Sequence, residues 1–373
     1  MNDNKIQRFY IPELDGLRFV AFLLVFIHNS PYLESSPIWT ALHEYGWIGV
    51  DLFFCLSAFL ITKLLVREQQ QQGNIKIRIF YFRRILRIWP LYFIYIAFAI
   101  LYVIQDQGWN NIILKHTFGL LTFTYNFIYL LLTYKIFFVF AHLWTISYEE
   151  QFYMAIPWII QKLTVAKRKI ELTFLLITFL LGNGIRAILI FYNVKHPVIY
   201  MMPFTHFEAL LCGIAMGLGL FDQMLMKFQG WTLLFFGVLF NTAVFFLPNI
   251  YTISWKLMLT YPLSGFGMAL IIYAIIYRKK LAFSNLLKTR VLTLLGKISY
   301  GLYMYHILSI SIVNEVSIRI FNVNPLQHQY YPIFLFIVGL SLTIILAIVS
   351  YNWIEIPFLK LKERYSLTYL QPI

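Results

Sequence analysis

The stretch 142-HLWTISYEEQFYMAIPW-158 places two adjacent carboxylates, Glu149 and Glu150, within an otherwise apolar chain. Of the 373 residues, 60% are hydrophobic and 12% are charged, whereas soluble domains carry about 25% charged residues. Apolar runs of about 20 residues, the length that crosses a bilayer, recur throughout. Because a carboxylate in hydrocarbon is costly, such a stretch has to lie inside a bundle. The fold class predicted is an all-α, polytopic membrane helix bundle.

The whole chain, 1–373, is expected to form a single membrane domain, because no linker rich in glycine, serine or proline separates a soluble module. The first apolar run, 14–33, is too long for the core of a cleaved signal peptide. Cys55 and Cys212 lie in mid-run and are expected to be small buried side chains, so the sequence indicates neither a disulfide framework nor a metal site.

Basic residues cluster in segments between the apolar runs, and the positive-inside rule places these segments in the cytoplasm. This rule explains the net charge of +14 better than binding to nucleic acid does. The clusters are Lys5 and Arg8; Arg67, Lys76, Arg78, Arg83, Arg84 and Arg87; Lys162, Lys167, Arg168 and Lys169; Arg278, Lys279, Lys280, Lys288 and Arg290; and Lys360, Lys362 and Arg364.

This threading predicts about ten transmembrane helices with both termini cytoplasmic. The expected spans are 14–33, 46–66, 88–105, 142–161, 172–192, 204–221, 230–248, 255–277, 292–314 and 333–356. One run remains, 112–132 with its extension to Phe140. A single crossing there would put the third basic cluster outside, so this run is expected to be re-entrant, interfacial or a hairpin.

Intramembrane ionisable residues recur at one depth in this threading. At about 1.5 Å per residue, His28 and His306 lie roughly 20 Å from the cytoplasm, as do Asp51 and Glu149. His206 and Glu208 lie nearer the outer surface. A second polar set at the cytoplasmic end contains Arg18, Arg84 and Arg87. Intramembrane charges usually mark function, and a network that merely pins helices together is the alternative.

The two adjacent glutamates are expected to have different partners, because neighbouring helix positions diverge by about 100°. Glu149 should face the polar layer, and Glu150 should contact a neighbouring helix. His306 shares its helix face with Tyr303 and Ser299, which fits a packing network as well as contact with substrate.

Several segments resemble, in order, the acyltransferase-3 family of integral membrane acyltransferases. They are 14-LDGLRFVAFLLVFIH-28, 49-GVDLFFCLSAFLIT-62, 80-FYFRRILRIWPLYF-93, 142-HLWTISYEEQFYMAIP-157, 206-HFEALLCGIAMG-217, 296-GKISYGLYMYH-306 and 351-YNWIEIPF-358. The sequence departs from the family pattern at Ala58, Thr145 and His206, where Gly, Ser and Arg are usual. The change at His206 puts in doubt any role that the family's arginine would imply for this position. Many relatives have an SGNH-type esterase domain after the bundle, and we expect none here.

The resemblance implies transfer of an acyl group from cytoplasmic acyl-CoA, with acetyl-CoA as the first candidate, to a hydroxyl of a glycan or a lipid-linked acceptor at the outer face. No metal and no nucleic acid are expected, and the expected location is the bacterial cytoplasmic membrane. By this resemblance, five residues match functional positions of the family: His28, Arg18, Arg84, Arg87 and Glu149.

Combined with the residue chemistry, this gives His28 as general base, Glu149 as its orienting acid and Arg18 as electrophilic partner. The expected phosphate-binding residues are Arg83, Arg84 and Arg87. Supporting or substrate-binding roles are expected for Asp51, Glu150, His206, Glu208 and His306, with Asp51 as the alternative orienting group. Direct transfer is favoured, an acyl-enzyme relay stays open, and a transporter or lipid flippase is the rival function.

Overall fold

A computed structural model of the chain describes residues 10–31, 36–132, 137–277, 282–320 and 330–361. These residues are helical or in turns, and no strand occurs among them, which confirms the all-α class. The predicted positions of Lys5, Arg8, Arg278, Lys279, Lys280, Lys362 and Arg364, and with them both termini, lie outside the described residues.

The helices follow one another with short connections. In chain order they are α1 (Pro12–Asn29), α2 (Pro37–Tyr45), α3 (Ile48–Gln72), α4 (Ile77–Gln107), α5 (Asn111–Leu121), α6 (Tyr125–Leu131), a 3₁₀ turn (Phe138–Leu143), α7 (Trp144–Leu163), α8 (Arg168–Phe191), α9 (Val198–Met201), α10 (Glu208–Gly217), α11 (Asp222–Leu225), α12 (Gly230–Val244), α13 (Leu257–Tyr277), α14 (Ala282–Leu287), α15 (Arg290–Lys297), α16 (Ser299–Arg319), α17 (Tyr331–Ser350) and a π turn (Tyr351–Glu355).

Five of the described helices are long and apolar enough to cross a membrane: α3, α4, α8, α13 and α17 with its continuation to Leu361. Each of the other expected spans also contains a helix, but α10 and α12 have only 10 and 15 residues. A full crossing takes about 20 residues, so the number of crossings stays a prediction.

The leftover run folds into two short helices, α5 with 11 residues and α6 with 7. Thr122 and Phe123 form the turn between them, and Phe123 has a positive φ of 53°. Because neither helix is long enough to cross a bilayer, the segment has the form expected of a re-entrant or interfacial element.

The ends of the helices that carry basic clusters meet at one end of the bundle. Glu13 at the start of α1 forms an ion pair with Lys288 at 2.9 Å. Asn74, in the turn between α3 and α4, accepts a hydrogen bond of 2.6 Å from Gln161 near the end of α7. These contacts place the first predicted cytoplasmic segment beside the fourth and the second beside the third, as the threading requires, and their assignment to the cytoplasm stays a prediction.

Helices α1 and α15 approach too closely at Gly296 for any side chain. A Cβ added there would lie 1.8 Å from the carbonyl oxygen of Asp15, whereas one at Gly184 in α8 would meet nothing within 4 Å. We expect Gly296→Ala to destabilise the bundle by about 1–3 kcal/mol through overpacking. Gly184→Ala should be neutral or slightly stabilising, since alanine favours helix. Thermal unfolding in detergent measures both, and equal melting temperatures would contradict the close packing.

Candidate active site

Five helices, α1, α3, α4, α7 and α16, enclose a cavity of about 140 Å³, which we call the arginine cavity. Its polar lining consists of Arg18, Ser57, Arg84, Arg87, Thr145, Glu149, Tyr153, Ser299, Tyr300 and Tyr303. Three guanidinium groups around so small a space form a site suited to an anion, because each presents a fork of donors that matches phosphate or carboxylate oxygens.

Arg84 and Arg87 occupy positions i and i+3 of α4, and both line the arginine cavity, as their spacing predicts. The Arg84 guanidinium lies over the ring of Tyr153, 5.3 Å from its centroid, and over that of Phe80 at 5.6 Å. Arg83 is not among the residues that line the cavity. The structure thus brings together two of the three expected phosphate-binding arginines.

Arg18 is fixed by a carboxylate that the sequence reasoning did not single out. Its Nη1 lies 2.9 Å from Asp15 Oδ1, at the i, i+3 spacing that could have identified the pair. Tyr10 donates to the other oxygen, Asp15 Oδ2, at 3.0 Å. Burial and this hydrogen bond raise the pKa of Tyr10 to about 12, so the phenol keeps its proton. The remaining donors of Arg18 are available to the cavity that it lines.

The two adjacent glutamates diverge as expected. Glu149 lines the arginine cavity and accepts a hydrogen bond of 3.2 Å from Ser57 Oγ of α3. Glu150 instead faces α4, where Trp89 Nε1 lies 3.4 Å from its Oε2. Glu150 Oε1 has no hydrogen-bond partner among the described residues. The prediction that Glu150 contacts a neighbouring helix is confirmed.

No hydrogen bond joins His28 to Glu149 in the described part of the chain, which corrects the expected pair. The depth estimate assumed that Trp144 lies at the outer interface, but Trp144 is only 5% exposed. Glu149 lines the arginine cavity together with Arg18, which comes ten residues, or about 15 Å of helix, before His28. The partner of His28 is the carbonyl oxygen of His43 in α2, 2.6 Å from Nδ1.

The carbonyl of His43 fixes the tautomer of His28. A carbonyl oxygen only accepts, so Nδ1 has to carry the proton. Nε2 then presents its lone pair, and it makes no hydrogen bond to another described residue. The backbone carbonyl of His43 therefore has the role that was expected of the Glu149 carboxylate. It orients the ring of His28 and leaves Nε2 with a free lone pair.

Two further histidines form a buried pair. The ring centroids of His142 and His306 are 4.9 Å apart. His306 Nδ1 lies 2.6 Å from Tyr303 O, and His142 Nε2 lies 3.2 Å from Met304 O. The other ring nitrogens, His142 Nδ1 and His306 Nε2, have no partner among the described residues. By the same tautomer argument each carries an unused lone pair.

Tyr303 connects this histidine pair with the arginine cavity. Its ring lines the cavity, and its hydroxyl lies 2.6 Å from Thr145 Oγ1 and 3.1 Å from His142 O. The ring of Tyr303 also contacts that of His306, with centroids 5.3 Å apart. Tyr303 therefore lies between the arginine cavity and the pair of His142 and His306. We call this pair, together with His28 ten residues beyond Arg18 on α1, the histidine layer.

The alternative assignment expected Asp51 to orient His28, but it does not. It pairs instead with His206, with 2.6 Å between Oδ1 and Nε2, and each side chain is only 1% exposed. His206 Nδ1 lies 2.9 Å from the carbonyl of Tyr200 and must donate to it. One proton is therefore shared between Asp51 and His206 Nε2, and the pair joins α3 to the segment before α10, while Asp51 Oδ2 has no hydrogen-bond partner among the described residues.

Glu208 has a charged partner that the sequence reasoning missed. Arg186 of α8 forms a fully buried ion pair with it. Arg186 also donates from Nε to Thr205 O at 2.8 Å, and its guanidinium lies 4.6 Å from the ring centroid of Tyr261. The network of Asp51, His206, Arg186 and Glu208 holds helices together, and none of the four lines the arginine cavity.

Comparisons with known proteins place the chain among acyltransferases. The model of the acyltransferase-3 family, described as an acyltransferase domain, matches residues 11–366. A protein of Staphylococcus aureus strain COL, provisionally named an O-acetyltransferase, is 30% identical over 94% of this chain and 58% of its own length. The O-acetyltransferase OatA of S. aureus strain NCTC 8325 is 27% identical over 94% of this chain and 57% of its own length.

The chain thus spans less than two thirds of the curated relatives that it matches. None of the solved structures matches it.

Proposed function

Because this chain belongs to the acyltransferase-3 family, we propose that it is a membrane O-acyltransferase, with acyl-CoA as donor, acetyl as the first candidate group and a hydroxyl as acceptor. The observation that carries this proposal is the arginine cavity, where Arg18, Arg84 and Arg87 surround one small space beside a layer of basic histidine nitrogens. A multi-pass membrane location follows from the family and the apolar helices. The bacterial cytoplasmic membrane is the proposed compartment.

The donor enters from the end of the bundle where Arg84 and Arg87 lie, which the charge threading assigns to the cytoplasm. Their guanidiniums suit bidentate contacts with the phosphates of CoA. The arginine cavity then holds the part of the donor next to the phosphates, and the thioester extends past Tyr303 toward His28.

The chemistry proposed is direct transfer. His28 Nε2 removes the proton of the acceptor hydroxyl as its oxygen attacks the thioester carbonyl, so that a C–O bond forms and the C–S bond breaks. Arg18 lies ten residues before His28 on α1, a rise of about 15 Å, and its guanidinium pairs with Asp15, so we assign Arg18 to binding of the donor and not to the carbonyl at which His28 acts. The CoA thiolate leaves and takes the proton from the imidazolium of His28. Glu149, hydrogen-bonded to Ser57, keeps the charge of the three arginines partly balanced.

The arginine pair gives a direct test of the donor site. Arg84→Ala with Arg87→Ala should weaken binding of acetyl-CoA by about 10² to 10⁴-fold, because a hydrogen bond to a charged group contributes about 1.5–3 kcal/mol. Arg83→Ala is the matched control, since Arg83 is on the same turn but does not line the cavity. Calorimetric titration of the protein in lipid nanodiscs measures the dissociation constants. If the Arg83 variant lost as much affinity for acetyl-CoA as the double variant, the arginines would serve only to set the membrane topology.

A further inference from the structure

A groove of about 460 Å³ lies on the side of the bundle between α7, α8 and α10, and we call it the α8 groove. Leu181 lines it and is 63% exposed, so the groove is open to the surroundings of the bundle. Its other apolar lining residues include Phe152, Ile159, Phe174, Phe204, Leu210 and Ile214.

The polar side chains that line the α8 groove are hydrogen-bonded within the protein. Tyr148 donates to His206 O at 2.6 Å, and Gln151 Nε2 donates to Phe123 O at 2.9 Å. Thr178 donates to the carbonyl oxygen one turn back in α8 at 2.8 Å. The described lining therefore offers an occupant apolar surface, which suits a hydrocarbon chain and opposes a sugar or a peptide backbone.

The length of the α8 groove matches the thickness of one membrane leaflet. Its lining runs from Tyr148 to Ile159 on α7 and from Phe174 to Ile185 on α8, a separation of 11 residues in each case. Eleven residues of helix rise about 16 Å, and half of a hydrocarbon core of about 30 Å is about 15 Å. The groove therefore has the length of a lipid chain that lies parallel to the helices.

Basic side chains surround one end of the α8 groove. Lys162 comes one turn after Ile159 on α7, whereas Lys167 and Lys169 stand at the start of α8, seven and five residues before Phe174. All three lysines are exposed. This is the end of the groove that the charge threading assigns to the cytoplasm.

The fourth cation of this cluster, Arg168, is used within the protein. It donates to the carbonyl oxygens of Gly219 and Leu220, and it acts on the charge of Glu171, one turn along α8. Asp222 follows in the segment that Arg168 contacts. In the described part of the chain the three lysines form no ion pair, so their charge is available to a ligand.

Charge and shape together define one class of ligand. A lipid whose chain lies in the groove has its headgroup at the basic end. Lysines close to a bilayer surface favour anionic lipids by about fivefold each. A zwitterionic headgroup such as phosphocholine carries its own cation and therefore gains less from the lysines.

We propose that the α8 groove binds one acyl chain of an anionic phospholipid whose headgroup is held by Lys162, Lys167 and Lys169. The proposed lipid site is distinct from the donor site at Arg84 and Arg87. It does not depend on the proposed function.

Native mass spectrometry of the whole protein in detergent measures lipid binding without requiring turnover. The probes are phosphatidylglycerol and phosphatidylcholine, each with one palmitoyl and one oleoyl chain. We expect the first phosphatidylglycerol to bind at least about 10-fold more tightly than the first phosphatidylcholine. Equal affinities would overturn the assignment of an anionic headgroup.

A triple variant tests the contact with the headgroup. It changes the three groove lysines: Lys162→Gln, Lys167→Gln and Lys169→Gln. The preference for phosphatidylglycerol should fall by about 10-fold or more. The control removes the same charge from exposed lysines in α5 and in the connections after α8 and before α13: Lys115→Gln, Lys195→Gln and Lys256→Gln. An unchanged preference in the first variant, or an equal loss in both, would refute the headgroup site.

Two adjacent leucines of α8 test the contact with the acyl chain. Leu181 lines the groove and Leu180 does not, and their side chains are 63% and 58% exposed. Leu181→Trp should weaken phosphatidylglycerol binding by about 10-fold, because the indole takes up space that the chain needs. Leu180→Trp should change the affinity by about twofold or less.

All the substituted side chains are exposed, so the variants should fold, which their melting temperatures check. Equal affinities in Leu181→Trp and Leu180→Trp would exclude the groove as the lipid site. If Leu181→Trp instead changes the number of chains in the complex, the groove is an interface between copies of the protein and the proposal fails.

Discussion

His28→Asn should lower the rate of acyl transfer, kcat, by about 10² to 10⁴-fold, the usual contribution of a general base. The Asn amide nitrogen can still donate to the His43 carbonyl, which His28 Nδ1 contacts at 2.6 Å. What the variant lacks is the basic Nε2. Affinity for acetyl-CoA and the melting temperature should stay near the native values, because the arginine cavity is unchanged. The measurement is transfer of radiolabelled acetyl groups to an acceptor by the protein in nanodiscs.

His43→Gln is the matched control for this prediction. It retains the backbone carbonyl that orients His28 and removes only the neighbouring imidazole, whose ring centroid is 6.1 Å from that of His28. Transfer should therefore persist at a rate much closer to the native one. A His28→Asn variant that transfers acetyl groups at the native rate would eliminate His28 as the base.

Arg186→Met should destabilise the protein by about 3–5 kcal/mol, the effect of removing one partner from a buried ion pair. Arg186 is fully buried, so its loss leaves Glu208 as an uncompensated charge inside the bundle. Its two hydrogen bonds to Thr205 O and its contact with Tyr261 are lost as well. Thermal and denaturant unfolding in detergent measure the change.

Two controls test whether burial causes this effect. The double variant Arg186→Met, Glu208→Leu should recover much of the lost stability, because no unpaired charge is left. Arg319→Met breaks the pair with Glu315, whose side chains are 73% and 42% exposed, and should cost about 1 kcal/mol or less. If Arg186→Met and Arg319→Met have similar effects, the buried network does not hold the helices together.

Helical periodicity predicted the arginine cavity well. The i, i+3 spacing of Arg84 and Arg87 placed both on one face, and the 100° offset separated Glu149 from Glu150. These relations are local, so they do not depend on where a helix begins. The Arg18–Asp15 pair has the same kind of spacing and could have been identified in the same way.

The depth of each ionisable residue in the membrane was harder to predict, because it depends on where its helix meets the membrane surface. The estimate took Trp144 as an interfacial residue and put Glu149 level with His28, whereas Glu149 lines the arginine cavity with Arg18, ten residues before His28 on α1. The carbonyl of His43 was not a candidate partner, since backbone groups have no signature in sequence. His142, at the edge of the quoted stretch, likewise became significant only through its contact with His306.

The pairings of Asp51 with His206 and of Glu208 with Arg186 depend on tertiary contacts between distant segments. Arg186 does leave a signal, since a single arginine in an otherwise apolar run usually has a buried partner. Its partner could not be named, because several carboxylates share a similar estimated depth.

In the proposed function the donor and the acceptor approach from opposite faces of the membrane, because Arg84 and Arg87 lie at the end of the bundle that the charge threading assigns to the cytoplasm. Proteoliposomes with radiolabelled acetyl-CoA sealed inside and an acceptor oligosaccharide outside test this directly. We predict labelled oligosaccharide outside and an equal amount of free CoA inside, with both lost in His28→Asn. Label that reaches the sugar only when sugar and acetyl-CoA are on the same side of the membrane would contradict the account.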